Sequence, residues 1–260
     1  MEEQKKGIVE RALEDVWPTT TNRFVAFIDI MGFKDMIART SHDKIYEMMK
    51  NIELTKTSVT NYNWADKELN LVKTTAYSDS IMVYSKDDSS DATYSFLCSV
   101  CSLSMDLLKD SIPHKGAIAF GKMTSDWESS IFFGQPLLDA YLLQEELYFY
   151  GIIIHGSAEE KIEFHKMKTI FLKNYLCPLK NSSSNHLVFD PPTVHGNKPE
   201  DELDRESLYN GIKKLRYITS GHLRKYIDNT EKYLKSMQAI TIDKDKRNKK
   251  KVNFLENDVT

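Results

Sequence analysis

The strongest hydrophobic pattern in the chain is the apolar run Phe24–Ile30, which contains a single carboxylate, Asp29. An apolar residue, a glycine and an aromatic residue follow at Met31, Gly32 and Phe33. The run has the length and composition of a central strand that is buried on both faces. The pattern predicts a strand that carries Asp29 to the edge of a sheet. A glycine turn then leads into a helix whose free amide groups can hold phosphate.

A second carboxylate is predicted at the tip of a hairpin. Two β-prone segments, Leu69–Tyr77 and Ile81–Ser85, are separated only by a three-residue connection centred on Asp79. Such a short polar connection favours a tight turn. If this hairpin pairs with the strand that ends at Asp29, the two carboxylates meet at one edge of the sheet.

Helix-like and strand-like periods alternate through the rest of the chain. The predicted helices are Phe33–Ala38, a helix that begins after Ser41, Tyr94–Leu108, Leu137–Tyr150, Glu159–Asn174, Leu208–Ile218 and Leu223–Met237. The further predicted strands are Lys115–Gly121, Gly151–His155 and a second hairpin of Leu176–Lys180 with Asn185–Phe189. This mixture predicts an α+β or mixed-sheet domain rather than a doubly wound fold. The sequence contains no Gly-rich dinucleotide fingerprint and no P-loop, which removes the commonest nucleotide sites.

A domain boundary is expected near the loop Pro191–Glu202, which contains consecutive prolines, a glycine and a run of charges. We predict an N-terminal arm over residues 1–22 and a catalytic domain over 23–190. A helical C-terminal extension is predicted over 191–241, and a polar, flexible tail over 242–260.

The composition is that of an ordinary globular protein, with 41% hydrophobic residues, 28% charged residues and a net charge of −3. This balance gives no argument for nucleic-acid or membrane partners, and the basic cluster Lys244–Lys251 is expected to be a solvated tail. Three cysteines and an N-terminus without a signal-peptide pattern lead us to expect a cytoplasmic protein. Cys98 and Cys101 have metal-like spacing, but they lie on a predicted apolar helix face, where core packing is expected.

Asp29 and Asp79 are the leading candidates for chemistry, because each lies where an apolar β segment gives way to a turn. Two carboxylates at one sheet edge suit a hard divalent ion such as Mg²⁺ or Mn²⁺, which keeps open positions for phosphate oxygens. The alternative is that Asp29 caps a helix and Asp79 makes a turn, since aspartate does both routinely. On spacing alone the two interpretations stay open.

The segments Phe24–Phe33 and Tyr77–Val83 together resemble the catalytic domain of the class III nucleotidyl cyclases. In that family a first Asp ends the first strand in a Phe-x-Asp-Ile-x-x-Phe motif. A second Asp lies in the following hairpin, usually after a glycine, which Ser78 replaces here. The strand His114–Gly121 is also similar. The resemblance covers roughly residues 23–190 and implies a ferredoxin-like βααββαβ core.

A closer resemblance is to the pyrimidine cyclases of bacterial Pycsar anti-phage defence, whose members also show Phe-x-Asp-Ile-x-Gly-Phe, Tyr-Ser-Asp-Ser and Lys/Arg-Gly-Ala-Ile. Downstream, Glu145 with Glu146, Thr219–Gly221 and Tyr226–Thr230 look similar too. This resemblance implies that UTP or CTP is converted to a 3′,5′-cyclic nucleotide and pyrophosphate with Mn²⁺ or Mg²⁺. It also implies a homodimer with sites shared between two chains, and a separate effector protein that the cyclic product activates.

The resemblance also implies roles for individual residues. Asp29, Asp79 and the Ile30 backbone carbonyl are expected to bind two metal ions. The expected substrate contacts are Phe27, Met31, Gly32, Phe33, Thr75 and Ile131, with the amides of the 31–33 turn on the β- and γ-phosphates. Lys180 resembles the family's late lysine that contacts the triphosphate, and a solvated hairpin lysine is the alternative.

The departures from the family bear on the substrate. The transition-state Asn and Arg of purine cyclases fall near Leu138 and Leu142, and the purine-reading positions fall at Thr75 and near Ile131. The loss of purine-reading groups fits a smaller pyrimidine ring, although a catalytically silent module would show the same losses. We therefore expect a uridylate cyclase first and a cytidylate cyclase second. A purine cyclase and a non-catalytic nucleotide-sensing module remain alternatives.

Overall fold

The computed structural model describes residues 17–60, 70–166, 172–189 and 199–236. Strands β1 to β8 span Thr20–Ile30, Val72–Tyr77, Ser80–Ser85, His114–Asp126, Ile131–Gly134, Gly151–Ile154, Leu172–Pro178 and Ser183–Phe189. Helices α1 to α7 span Phe33–Arg39, His42–Thr60, Ser90–Lys109, Gln135–Glu146, Gly156–Phe164, Pro199–Ile218 and 224–236. Most of the predicted N-terminal arm and all of the predicted tail lie outside the described residues.

One mixed sheet organises these elements. Its strand order is β2-β3-β1-β4-β6-β8-β7, and β5 pairs with the outer part of β4. The first four strands of this order pair antiparallel, and β4 pairs parallel with β6. A β-α-α-β-β-α-β chain order that builds the sheet order 2-3-1-4 is a ferredoxin-like split βαβ arrangement. The predicted α+β fold with a βααββαβ core is confirmed.

The two faces of β1 enter different surroundings, because successive side chains of a strand point in opposite directions. On one face Phe24 stacks on Phe96 of α3 at 5.7 Å between ring centroids, and Ile28 is buried in the same cluster. On the other face Val25 packs in a smaller cluster with Tyr84. Asp29 belongs to this second face, so it lies on the side of the sheet opposite α3.

Helix α3 supplies much of the large core. Its N-cap is Ser89, whose hydroxyl accepts a hydrogen bond from the Ala92 amide. Cys98 and Cys101 are buried on this helix, and burial raises the pKa of the Cys98 thiol to about 12. The expected role of these cysteines in core packing is confirmed.

Two predicted helices were too long. Helix α4 ends at Glu146 rather than Tyr150, because Leu147 forms a β-bridge with Leu179 and the Tyr148 amide donates to the Pro178 carbonyl at 3.0 Å. These pairings place the segment after α4 beside the end of β7, where an amphipathic pattern alone predicts continued helix.

The helix predicted over Glu159–Asn174 ends at Phe164, and its last residues belong to β7. Lys166 has a φ of 57°, in the left-handed region that interrupts a helix. Leu172 then pairs with Phe189 of β8. Cross-strand pairing with a partner 17 residues away overrides the local helical pattern here.

The C-terminal helices α6 and α7 pack onto the large core, to which they contribute Leu208, Ile212 and Ile227. Helix α6 approaches α3 closely at Gly211, where an added Cβ would lie 2.0 Å from the Leu108 carbonyl oxygen. Glycine is therefore required at this contact. The division of the chain into a catalytic domain and an extension stays a prediction. None of the described helices has both the length and the apolar character needed to cross a bilayer.

His114 opens β4 without any exposed surface. Its Nδ1 lies 3.1 Å from the Ile112 carbonyl oxygen, and its Nε2 lies 2.7 Å from the Ser104 hydroxyl oxygen. A neutral ring that donates from Nδ1 and accepts at Nε2 satisfies both contacts. Burial lowers the pKa of His114 to about 4 from its ordinary 6.5.

The first prediction concerns stability in acid. Between pH 6.5 and 4 the unfolded chain binds a proton at residue 114 that the folded chain does not, so stability falls as the pH falls. We expect this residue to cost about 2 kcal/mol of unfolding free energy between pH 7.5 and pH 5. Urea unfolding of wild type and His114→Gln over this pH range measures the cost. The unfolding free energy of the variant should lack the part of the pH dependence that His114 contributes. His222→Gln, at an exposed histidine, keeps the wild-type dependence, and equal slopes in wild type and His114→Gln would contradict the prediction.

Candidate active site

Asp29 lies at the end of β1 with a partner on each side. Its cross-strand neighbours are Ser80 of β3 and Lys115 of β4. Directly opposite residues of an antiparallel pair share a face of the sheet, so Asp29 and Lys115 point to the same side. Position 29 is therefore a carboxylate held beside a lysine at one end of the central strands.

Asp79 lies in the two-residue turn between β2 and β3, next to Asp29. The Ile30 amide donates a 2.8 Å hydrogen bond to the Asp79 carbonyl oxygen, which ties the hairpin tip to the end of β1. Ser78 has a φ of 56° in this turn, a conformation that glycine adopts most easily. The structure thus brings the two candidate carboxylates together and holds Ser78 in a conformation that glycine would adopt with less strain.

The electrostatic environment of Asp29 is unusual for a carboxylate. Burial raises the pKa of Asp29, and the nearby charges of Asp79 and Glu145 raise it further. Lys115 and Lys180 act in the opposite direction. A partly buried carboxylate beside a second carboxylate is a position where an added cation is favoured, because it offsets both the burial and the repulsion.

The residues at this end of β1 fit a hard divalent cation. Asp29 and Asp79 offer carboxylate oxygens, and the Ile30 carbonyl is the predicted third ligand. Within the described ranges, no three His, Cys, Asp or Glu side chains come together as a ready metal cage. A site with few protein ligands suits Mg²⁺ or Mn²⁺, which takes its remaining ligands from water and substrate phosphates.

The structure adds Lys115 and Glu145 to the candidate site and also places Lys180 there. The Lys115 ammonium lies 3.5 Å from Glu145 Oε1, and the Lys180 ammonium lies 3.7 Å from Glu145 Oε2. Backbone pairing holds Lys180 in place, because its amide donates to the Glu146 carbonyl at 2.8 Å. The predicted triphosphate lysine thus lies among the charges around Asp29.

Sequence reasoning did not assign Lys115 or Glu145 to the site. Lys115 carried a usable signal, since it is a charged residue at the start of an otherwise apolar predicted strand. Tyr226 of α7 was also missed. Burial and Tyr148 raise the pKa of Tyr226 to about 12, and the charges of Glu145 and Asp29 contribute to this shift. The C-terminal helix therefore reaches the charged cluster.

The turn after β1 has the predicted glycine conformation. Gly32 is the N-cap of α1 with a φ of 76°. The Met31 amide donates to the Pro113 carbonyl at 2.8 Å, so this amide is engaged with the segment before β4. Gly32 and Phe33 remain the amides of this turn that are predicted to hold phosphate.

An apolar groove of about 330 Å³ opens next to the carboxylates on the same face of the sheet. Phe27 lines it, and the Phe27 ring lies 5.3 Å from the ring of Tyr141 on α4. The other lining residues are Met82, Phe132, Phe133, Gly134, Leu137 and Leu138.

The predicted base-reading residues lie at different distances from this groove. Thr75 pairs with Met82, which in turn pairs with Phe27, so the three residues form one row across the sheet. Ile131 begins β5 opposite Asp126 and is exposed, and it is not a lining residue. The structure therefore brings Thr75 into the row of the groove but does not bring Ile131 to it.

Helix α7 holds the segment that follows α4 by two hydrogen bonds, of which the bond to Thr230 is buried. The Asn229 side-chain amide donates to the Tyr148 carbonyl at 2.8 Å, and the Tyr150 amide donates to the Thr230 hydroxyl at 2.8 Å. Because this segment continues directly from the end of α4, these contacts support the position of Glu145.

Comparison with known proteins gives similarities in structure only. No protein-family model matches the chain, and no curated protein matches it in sequence. The guanylate cyclase domain of RhGC from Catenaria anguillulae in complex with GTP is 16% identical, with a TM-score of 0.46, over 65% of this chain and 96% of that chain. A bacterial light-regulated adenylyl cyclase is 8% identical, with a TM-score of 0.45, over 73% of this chain and 100% of that chain. An adenylate cyclase from Trypanosoma brucei is 9% identical, with a TM-score of 0.45, over 68% and 90%. Because these identities and TM-scores are low, the function of the site is inferred from this chain's own residues.

The second prediction tests the support that α7 gives. Thr230→Val keeps the side-chain shape but leaves the Tyr150 amide without its buried acceptor. We expect the unfolding free energy to fall by about 1–3 kcal/mol, the cost of an unsatisfied buried donor. Thermal and urea unfolding measure the loss. Ser236→Ala is the control, since that hydroxyl donates to the Tyr233 carbonyl of its own helix, and its removal should change stability by less than about 0.5 kcal/mol. Equal effects of the two substitutions would argue against this anchoring role.

Proposed function

We propose that this protein is a metal-dependent nucleotidyl cyclase that converts UTP to 3′,5′-cyclic UMP and pyrophosphate. One observation carries the proposal. Asp29 and Asp79 are joined through the Ile30 amide at one end of a βααββαβ sheet, with Lys115 and Lys180 beside them. Paired carboxylates with adjacent cations suit the handling of a metal-bound triphosphate.

Each residue has a proposed task. Asp29, Asp79 and the Ile30 carbonyl hold two divalent ions, Mn²⁺ or Mg²⁺. When bound, such ions lower the pKa of an attacking hydroxyl and neutralise a leaving pyrophosphate. Lys180 binds the triphosphate, as its exposed position at the end of the β7 strand allows. The amides of Gly32 and Phe33 hold the outer phosphates.

We propose a pyrimidine substrate from the apolar groove and from the row of residues across the sheet, Thr75, Met82 and Phe27, that leads to it. Phe27 offers an apolar surface for a base, and Thr75 offers only a short hydroxyl where a purine reader is expected. Ile131, near the second such position in the sequence, is not among the residues that line the groove, so it supplies no group that could read a base there. A small base needs fewer recognition groups than a purine, which favours UTP, with CTP as the next substrate.

A homodimer is proposed because the outer surface of β5 and α4, called the open face below, is apolar. The exposed side chains on β5 and α4 include Ile131, Phe133, Leu138, Tyr141 and Leu142. A contiguous apolar patch of this kind marks an interaction surface. A second copy of the chain is the occupant that the family resemblance implies, with each site shared between two chains.

The biological role is proposed from the resemblance to the Pycsar cyclases. The cyclic nucleotide is a second messenger in antiviral defence, made in the cytoplasm and detected by a separate effector protein. A gene for a cyclic-nucleotide-binding effector beside this one is expected on that basis.

A second candidate function is a nucleotide-binding module without catalysis. Leu138 and Leu142 favour it, because these exposed apolar residues stand where purine cyclases have their transition-state Asn and Arg. This candidate predicts binding of a nucleoside triphosphate without turnover.

The third prediction tests the activity directly. Purified protein is incubated with each of the four nucleoside triphosphates and Mn²⁺, and the products are identified by mass spectrometry. Cyclic UMP is expected as the main product. Asp79→Asn should lower its formation at least about 1,000-fold, because it removes one of two carboxylates that hold the metal. Asp35→Asn, at an exposed position of α1, should keep wild-type activity.

The outcomes separate the candidates. Cyclic CMP moves the substrate to CTP, cyclic AMP or cyclic GMP supports a purine cyclase, and binding without product supports the silent module. Full activity of a well-folded Asp79→Asn protein is incompatible with the proposed site.

The fourth prediction concerns the dimer. Leu142→Glu places a charge on the open face of α4. In a symmetric dimer each of the two chains brings this charge to the interface. We expect the dimer to weaken at least about 100-fold in sedimentation velocity, since each buried leucine contributes about 1.5–3 kcal/mol. Tyr217→Glu is the control, because Tyr217 is exposed on α6, which packs against α3 rather than against α4 or β5. A wild-type protein that is monomeric and active would overturn the proposal of a shared site.

A further inference from the structure

The Lys115 ammonium has two carboxylates to choose from. Its direct cross-strand neighbour is Asp29, but it forms its ion pair with Glu145 of α4, at 3.5 Å. The Lys115 side chain is only 4% exposed, so its ammonium cannot turn to bulk water for compensation. A buried ammonium needs a partner, and in this structure Glu145 supplies it.

Glu145 is itself held from several directions. Its second oxygen pairs with Lys180 at 3.7 Å, and the Gln144 side-chain amide donates to its first oxygen at 3.0 Å. The β-bridge between Leu147 and Leu179 fixes the backbone close to both members of the Glu145–Lys180 pair. These contacts make Glu145 a fixed acceptor for Lys115.

Without Glu145, the nearest carboxylate on the same face for Lys115 is Asp29. A direct pair between the two would occupy carboxylate oxygens that a divalent cation needs, and the cation would have to displace a buried ammonium. Glu145 prevents this competition, because it attracts Lys115 toward α4 and away from the end of β1.

We propose that Glu145 is a positioning residue that holds the Lys115 ammonium off Asp29 and so keeps Asp29 available to a divalent cation. This inference rests on the proposed function, because it takes Asp29 to be a metal ligand. It assigns Glu145 no contact with substrate. The affinity for the cation in the absence of any nucleotide therefore depends on a side chain that is not a ligand.

The fifth prediction measures that affinity directly. Binding of Mn²⁺ alone to the purified full chain is followed by electron paramagnetic resonance of the free ion at low ionic strength. We expect Glu145→Gln to weaken Mn²⁺ binding about tenfold, since Lys115 then pairs with Asp29. Glu146→Gln, which removes the same charge from the neighbouring exposed residue, should stay within about twofold of wild type.

The double variant identifies the cause. Lys115→Met in the Glu145→Gln background removes the competing ammonium, and we expect Mn²⁺ affinity to return to at least the wild-type level. Because loss of a nearby positive charge raises cation affinity by itself, this gain must exceed the gain from Lys115→Met in the wild-type background. Circular dichroism and thermal unfolding confirm that each variant is folded. Wild-type affinity in Glu145→Gln overturns the inference. So does a double variant that stays as weak as Glu145→Gln, because the lost charge itself is then responsible.

Failure of the inference can be told apart from failure of the proposed function. If wild type binds Mn²⁺ and makes a cyclic nucleotide while Glu145→Gln binds Mn²⁺ equally well, only the role of Glu145 is rejected. The metal site and the role of Glu145 are rejected together if wild type does not bind Mn²⁺ saturably. They are also rejected together if Asp79→Asn does not abolish the binding that wild type shows.

Discussion

The antiparallel pairing of β1 with β4 is the constraint on which the candidate site depends, because it sets Asp29 directly opposite Lys115. A slip of one residue in β1 would turn Asp29 into the large core and bring Phe24 and Ile28 out of it. Burial of these apolar side chains therefore secures the register of the charged pair. The hydrophobic pattern of the strand and the electrostatics of the site are two consequences of the same alignment.

The charged cluster is assembled from distant parts of the chain, and each charge arrives on a different element. Asp29 and Asp79 come from β1 and the β2–β3 turn, Glu145 from the end of α4, and Lys180 from the turn after β7. Helix α7 then holds the segment after α4 through two hydrogen bonds. Helix α7 therefore acts together with the sheet, because its hydrogen bonds to the segment after α4 support the position of Glu145.

The sequence predicted the parts of this site that depend on local patterns. Phe24–Ile30 and the hairpin around Asp79 were recognisable because alternation, turn residues and short connections are encoded within a few positions. The predicted end of α4 and the predicted start of β7 were wrong. Pairing of Leu147 with Leu179 decides the first boundary, and pairing of Leu172 with Phe189 decides the second. The Glu145–Lys180 pair was not predicted for the same reason, because no local pattern in the sequence indicates an ion pair between residues so far apart along the chain.

The two lysines of the cluster differ in burial, and this difference implies a division of labour. Lys115 is enclosed, so its charge is part of the fixed field around Asp29 before any ligand arrives. Lys180 is exposed just after β7 and shares the same carboxylate, so in the proposed function it exchanges Glu145 for a phosphate with little loss of solvation. Charges fixed in advance reduce the reorganisation that accompanies binding. A carboxylate that compensates both lysines lets the protein hold two ammonium groups next to the proposed metal site without letting either one occupy it.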